Sequence, residues 1–224
     1  MRKLVLFDFD GTLADTAPDL ALTANKQRER RGLEPLSPEY LRPLSSYGAR
    51  GLLKAALDIE TDDPEFPEMR EQFLKDYEQL MTTHTKLFDG IEQLLNTLQQ
   101  NGFEWGIVTN KLEYLAIAQA KHLGILSNSV VLVGGDTTPH IKPHPAPLLC
   151  AAERASIEPA QCIYIGDDER DIVAGKAAGM ATIVACYGYC GPETAAIRGW
   201  QANAIANTPE DIWPAVQEWA VSFV

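Results

Sequence analysis

Short, wholly apolar runs alternate with stretches of helical periodicity along most of this chain, and that alternation leaves few folds open. Lys3 to Phe7 reads KLVLF, a continuous apolar run that ends at charged residues, as a parallel strand buried on both faces does. Similar runs recur at Trp105–Val108, Val130–Val133, Cys162–Ile165 and Ala181–Ala185, with a weaker one at Ala204–Ala206. Between them, Ile91, Leu94, Leu95 and Leu98 share one helical face, and Gly102 stops that helix. Leu112, Leu115, Ala116 and Gln119 form the next helical pattern; Pro147–Ala155 and Asp171–Ala178 complete the series, and Thr208-Pro209-Glu210 begins a last helix. The sequence therefore predicts a doubly wound α/β fold on a parallel sheet.

Residues 15–85 break the alternation, because only helical signals occur there. Thr16-Ala17-Pro18-Asp19 has capping-box spacing, and Ser37-Pro38-Glu39 places proline just inside a helix start. Phe66, Met69, Phe73, Tyr77, Leu80 and Met81 step at three- and four-residue intervals. The expected organisation is a core of residues 1–14 and 86–224 with an all-helical insertion at 15–85, hinged near Ala14–Thr16 and Lys86–Asp89.

Composition narrows the function. A formal charge of −12 in 224 residues argues against nucleic acid and anionic membranes as partners. No apolar run approaches the ~20 residues of a membrane span, and the one behind Met1-Arg2-Lys3 is too short for a signal peptide. Cys150, Cys162, Cys186 and Cys190 show no CxxC spacing, so free thiols in a reducing cytoplasm are expected. The histidines at 84, 122, 140 and 144 share no motif, and Trp200, Trp213 and Trp219 read as packing residues.

In an open α/β sheet, ligands gather at the carboxyl ends of the strands. After the first run stands Asp8-Phe9-Asp10-Gly11-Thr12, and after the next Thr109-Asn110. Lys142 follows the third at a distance, before Pro143, and Ile165 is followed by Gly166-Asp167-Asp168-Glu169-Arg170-Asp171. Carboxylates gathered on one edge repel one another unless a counter-charge sits among them, and a hard cation with oxygen ligands is the usual one. Mg²⁺ is expected on Asp8, Asp167 and the main-chain carbonyl of Asp10. It would shield an Asp8 carboxylate attacking a phosphate dianion. Lys142 neutralises a phosphate oxygen in this reading, and Thr109 donates its hydroxyl. Asp10 protonates the leaving oxygen and later deprotonates water, while Gly11 allows a tight turn that offers backbone N–H groups to the phosphate.

Asp8-Phe9-Asp10-Gly11-Thr12-Leu13, Thr109-Asn110, Lys142-Pro143 and Gly166-Asp167-Asp168-Glu169-Arg170-Asp171 together resemble the four ordered motifs of the haloacid dehalogenase superfamily. The helical insertion resembles the α-helical cap of its phosphoglycolate phosphatase-like branch. The resemblance implies a Rossmann-like core and a phosphoryl group carried by Asp8. It implies acid–base work at Asp10, phosphate contacts from Thr109, Asn110 and Lys142, and metal on Asp8, Asp10 and Asp167. Asp171 and Thr12 would stand behind the metal. Asp168 either joins them or is simply an acid at a helix N-terminus. Asp10 favours phosphoryl transfer over dehalogenation, since a halide leaves without a proton.

Tyr47-Gly48-Ala49-Arg50-Gly51 reads as a Gly-flanked turn leading into a helix. In the related enzymes that loop reads the non-phosphate end of the substrate, so Arg50 is a candidate partner for a substrate carboxylate. The alternative is a surface arginine at a helix start, where the dipole does not favour a cation. That stretch and Tyr187-Gly188-Tyr189-Cys190-Gly191-Pro192-Glu193 also resemble phosphatases of N-acetylmuramate 6-phosphate. The expected partner is a small phosphorylated metabolite, handled by a monomer or homodimer. A β-phosphoglucomutase-like mutase would need a long-lived phospho-enzyme, and a phosphonate hydrolase would need a Schiff-base lysine that Lys54 is displaced from providing. A non-catalytic binding protein fits least, because no catalytic position is missing.

Overall fold

The computed structural model describes residues 2–191 and 194–221. They fall into two compact units, Ala14–Lys86 and the remainder on either side of it.

The chain opens with β1 (Leu4–Phe7), whose four side chains are all buried. Two residues at each crossing between the units, β2 (Ala14–Asp15) and β3 (Lys86–Leu87), pair as a small ribbon that the purely helical reading of 15–85 did not anticipate. Between them lie α1 (Ala17–Arg30), the short α2 (Pro38–Leu41), a 3₁₀ segment at Arg42–Tyr47, α3 (Gly48–Leu57) and α4 (Phe66–Leu80). Ser37 caps α2 as expected, accepting from the Tyr40 amide at 3.2 Å. The Thr16–Asp19 box does not form. The Asp19 carboxylate instead accepts from the amides of His84 and Thr85 at 2.9 Å each and from the Thr85 hydroxyl at 2.8 Å. A long-range turn with three donors outcompetes a local cap that would satisfy one.

Phe73 and Tyr77 of α4 are buried with their rings stacked, 6.4 Å between centroids, alongside Leu52 and Leu53 in the core of the helical unit. Beside them Asp76, also buried, accepts from Gln27 at 2.6 Å and from Arg30 at 2.7 Å, and pairs with Lys26 at 2.9 Å. The Arg30 hydrogen bond leads in holding the Asp76 carboxyl well below the usual carboxylate range, against the opposing effect of burial. A depressed native pKa gives stability that is present above the unfolded value near 3.8 and lost as pH falls below it. Asp76→Ala should therefore cost about 1–3 kcal/mol at pH 7, a range held down because Arg30 and Lys26 can still reach water. The cost should shrink at pH 3, and urea denaturation at both values measures it; a loss equal at the two would refute the linkage.

The second unit resumes with α5 (Ile91–Gln100), β4 (Glu104–Val108), α6 (Glu113–His122), β5 (Leu132–Val133), α7 (Ala146–Ala155), β6 (Cys162–Gly166), α8 (Glu169–Ala177), β7 (Ala181–Ala185), α9 (Ala195–Gly199), β8 (Ala204–Ala206) and α10 (Ile212–Val221). Its sheet has the order β5-β4-β1-β6-β7-β8, with every neighbouring pair parallel. This is a doubly wound α/β sheet. β5 is shorter than the run that predicted it, although its ladder begins earlier: the Val130 amide donates to Trp105 at 3.0 Å and Val131 accepts from Ile107 at 2.9 Å. At the last helix Thr208 forms its capping box with Asp211, and a 3₁₀ turn at Pro209–Asp211 precedes α10.

The winding decides where chemistry can sit. From β1 the sheet grows outward through β4 and β5; the chain then crosses back to β6 and grows the other way through β7 and β8. Connections leaving β1 and β6 diverge, so a crevice opens between the carboxyl ends of these two adjacent strands. Phe7 pairs with Ile165 in register, so the residues entering that crevice are Asp8 and Asp167.

All four cysteines are free thiols. Trp213 packs edge-on against Phe103, and Trp200 lies against a cluster with Ile172, Val184, Cys186 and Ile197. His144 accepts from the Ala146 amide through Nδ1 at 3.1 Å, at the start of α7. Among the described residues, no helix is long and apolar enough to cross a membrane.

Candidate active site

Asp8 leaves β1 with its amide still donating to Ile165 at 2.8 Å, so the strand pairing itself fixes its main chain. Its carboxylate accepts from the Phe9 amide at 2.7 Å and from Lys142 Nζ at 2.9 Å. Asp8, Asp167 and Asp171 are buried or nearly so, and each offers a carboxylate oxygen within 4.8 Å of the others'.

Asp167 is held from two directions, by the Thr12 hydroxyl at 3.0 Å and the Tyr189 amide at 2.8 Å. Glycine at 11 makes this approach feasible. Its φ is +85°, and a Cβ there would fall 2.3 Å from Asp167 Oδ2. Glycine at 166 does the same for Asp171, whose Oδ2 lies 2.3 Å from where a Cβ would stand. The two glycines let carboxylates close on the strand ends from the side.

Lys142, 2 % exposed, is the cation of the cluster. Its Nζ pairs with Asp8 at 2.9 Å and Asp171 at 2.7 Å, and donates to the Tyr164 hydroxyl at 2.7 Å and the Val108 carbonyl at 3.2 Å. Its main chain is fixed by the Asn110 side chain, whose Oδ1 accepts from the Lys142 amide at 2.9 Å and whose Nδ2 donates to the Lys142 carbonyl at 3.0 Å. Thr109 spends its amide on the sheet, donating to Val133, and its hydroxyl accepts from the Lys111 amide at 3.2 Å; the hydroxyl proton is still there to donate.

The charges do not balance. Burial, reinforced by Asp171 and Asp10 and opposed by Lys142, pushes the Asp8 carboxyl up to about 6. Burial pushes Asp167 well above the ordinary range, with Asp8 and Asp171 adding to it. Burial works against the Lys142 ammonium, but Asp171 and Asp8 outweigh it and raise its pKa. Three carboxylates share one lysine, and the deficit is of the kind a hard divalent cation with oxygen ligands fills. Asp8 and Asp167 suit that role. Asp171 is committed to Lys142 through Oδ1 and to the Asp168 amide through Oδ2.

Asp10 and Asp168 have partners of their own. The Asp10 carboxylate stands outside the three-acid cluster and pairs with Lys111 Nζ at 2.5 Å. Asp168 caps α8, accepting from the Arg170 amide at 2.9 Å and pairing with its guanidinium at 2.7 Å, which is the helix-terminus alternative. The Arg170 hydrogen bonds lower its pKa in spite of burial. Arg50 lies in the first turn of α3 rather than on a turn before it, because the helix begins at Gly48, whose φ of +57° makes the break from the 3₁₀ segment. Lys54 is tied to Asp58 at 2.6 Å and Glu60 at 2.7 Å. In the Tyr187–Glu193 stretch, Pro192 and Glu193 lie outside the described residues.

Sequence reasoning missed Lys111, Tyr164 and the Tyr189 amide. Lys111 had a signal, since it directly follows Thr109-Asn110. Tyr164 had a weaker one, a hydroxyl inside an otherwise apolar strand that a buried partner must satisfy.

The family model described as Haloacid dehalogenase-like hydrolase matches residues 5–185, and the chain belongs to that family. It is a phosphatase. It is 45 % identical over 214 residues to a phosphoglycolate phosphatase of Xanthomonas campestris pv. campestris, covering 94 % of this chain and 95 % of the relative. It is 39 % identical over 210 residues to an N-acetylmuramic acid 6-phosphate phosphatase of Pseudomonas aeruginosa, covering 94 % and 92 %. A crystal structure described as a predicted phosphoglycolate phosphatase from Haemophilus somnus 129pt superposes with a TM-score of 0.81 at 28 % identity, covering 96 % of this chain and 98 % of that one.

Proposed function

We propose that this chain is a Mg²⁺-dependent hydrolase of a small, carboxylate-bearing phosphomonoester, of the phosphoglycolate type, working through an aspartyl-phosphate at Asp8. The observation that carries the reading is the buried trio Asp8, Asp167 and Asp171 with Lys142 wedged against two of its members at the crevice between β1 and β6.

An Asp8 oxygen attacks phosphorus, and the bond from phosphorus to the leaving oxygen breaks as Asp10 hands that oxygen its proton. Lys142 and the Thr109 hydroxyl offset charge on the non-bridging oxygens. In the second step the Asp10 carboxylate takes a proton from water, the water oxygen attacks phosphorus, and the bond from phosphorus to Asp8 breaks. Mg²⁺, held by Asp8, Asp167 and the Asp10 carbonyl, would neutralise phosphate charge and lessen the repulsion that opposes the first attack. The assignment of residues 15–85 as a cap and of Arg50 as the reader of a substrate carboxylate belongs to the same proposal. So do a cytoplasmic home, a monomeric or homodimeric state, and small metabolites rather than nucleic acid or membrane as partners.

The relative of 45 % identity favours phosphoglycolate, and the Pseudomonas relative keeps N-acetylmuramate 6-phosphate as a second reading. Turnover of the two with Mg²⁺, beside a β-phosphoglucose control, decides between them. Chelation should lower the rate about 100-fold or more, and added Mg²⁺ should restore it. Full activity in excess chelator would refute metal dependence. Isomerised sugar phosphate in place of free phosphate would make the chain a mutase.

A further inference from the structure

Lys111 is nowhere part of the mechanism just described, yet its side chain is only 6 % exposed and its Nζ sits 2.5 Å from the Asp10 carboxylate. Burying a lysine stem and head takes organisation, and the surroundings supply it. The Lys111 amide donates to the Thr109 hydroxyl oxygen at 3.2 Å, and its carbonyl accepts from the Gly135 amide at 2.7 Å. The ammonium lies 5.4 Å from the centre of the Phe9 ring, the residue between Asp8 and Asp10. Backbone at one end and ring and carboxylate at the other therefore fix both ends of Lys111.

The contact restrains Asp10. Its neighbour Asp8 is engaged by Lys142, and Asp167 by Thr12 and Tyr189. A carboxyl group two residues along the same loop reaches the leaving oxygen in only some of its orientations, and the Lys111 contact is a restraint that selects among them. Acid catalysis is lost with small displacements of the donor.

We propose that Lys111 is the positioning residue for Asp10, fixing its carboxyl group through Oδ1 so that, once Asp10 has taken up a proton, that proton is delivered to the departing oxygen. The inference rests on the acid–base role proposed for Asp10 and adds the group that makes the role geometrically dependable. Lys111 acts through Asp10 and not on the phosphoryl group. Its contribution should therefore scale with how badly the leaving group needs a proton: large for an alkoxide, small for a nitrophenolate.

The test is a series of phosphate monoesters with graded leaving groups, from an alkyl ester to p-nitrophenyl phosphate, measured with saturating Mg²⁺. The wild type is compared with Lys111→Met, Lys111→Arg and Asp10→Asn. Lys111→Met keeps the apolar stem against Phe9 and removes the charge. Its kcat should fall about 30–100-fold on the alkyl ester and only several-fold on p-nitrophenyl phosphate, with KM shifting by less than about 3-fold. Lys111→Arg should recover part of the alkyl-ester rate. Equal losses across the series, or no loss, would overturn the proposal, because a merely structural lysine does not discriminate leaving groups. Asp10→Asn separates the two levels. If it steepens the leaving-group dependence while Lys111→Met does not, the acid role stands and Lys111 falls. If Asp10→Asn leaves the dependence flat, the acid role falls and the Lys111 proposal with it.

Discussion

Replacing Asp8 by asparagine should abolish turnover and, in the absence of divalent metal, make the protein more stable at pH 8. Both effects come from one side chain. The amide keeps the shape of the carboxylate but is no nucleophile towards phosphorus, so kcat should fall by about 10⁴-fold or more. No acid-stable phospho-enzyme should be trapped on rapid quench. The stability effect follows from the cluster. Burial raises the Asp8 carboxyl from 3.8 to about 6, so the ionised form is disfavoured in the native state by about 2 pKa units, on the order of 2–3 kcal/mol. A raised native pKa contributes stability that is fully present below the unfolded value and lost as pH climbs through about 6. At pH 8 the metal-free wild type carries the whole penalty, and Asp8→Asn removes it, with the amide oxygen still able to accept from Lys142. At pH 4 the two proteins should be nearly equal. Denaturant titrations in chelator at both pH values, with a phosphatase assay in Mg²⁺, test the pair of expectations. Activity near that of the wild type would end the nucleophile assignment, and a loss of stability at pH 8 would show that Asp8 is well solvated or well paired.

Strands and side-chain partnerships differed in how far they could be read from the sequence. The strands were legible because parallel strands buried on both faces must be apolar throughout, and KLVLF or CIYIG has little else it can become. Reading the residues that follow each apolar run then pointed to Asp8, Asp10, Thr109 and Asp167. Side-chain partnerships were less legible. Sequence spacing could place Asp10 near Asp8 but could not show that Lys111 would claim its carboxylate, because that contact spans 101 positions and depends on how β4 lies beside β1. The Thr16–Asp19 box failed for a related reason. A capping motif is a local competitor, and Asp19 found three donors at residues 84 and 85. Arg50 shifted from turn to helix because glycine at 48 reads equally well as a turn or as a helix start following a break.

Lys142→Met should be the most damaging single change to the core unit. It leaves three buried carboxylates with no lysine among them and takes one donor from the Tyr164 hydroxyl, which still donates to the Val108 carbonyl at 2.8 Å. Removing one member of a buried ion pair costs about 3–5 kcal/mol when the other is left charged. Here that condition depends on pH. The Lys142 pKa is raised by Asp171 and Asp8 against the effect of burial, so its own stabilising contribution is present throughout the neutral range and is lost only above the ordinary lysine value of 10.5. The carboxylates do the titrating. With Lys142 gone the Asp8 carboxyl loses the group that held it down, so it takes up a proton at a pH above its wild-type value of about 6; as it does, the uncompensated charge shrinks and the variant should recover part of its deficit. The expected result in chelator is therefore a full loss at pH 8 and a smaller one at pH 5. Mg²⁺ should rescue stability better than activity, since it can balance the carboxylates but cannot replace an ammonium fixed beside a phosphate oxygen. With saturating Mg²⁺, kcat should still be down about 10³-fold. A stability loss independent of pH would mean that Lys142 matters through packing alone, and activity restored fully by the metal would remove it from the phosphate site.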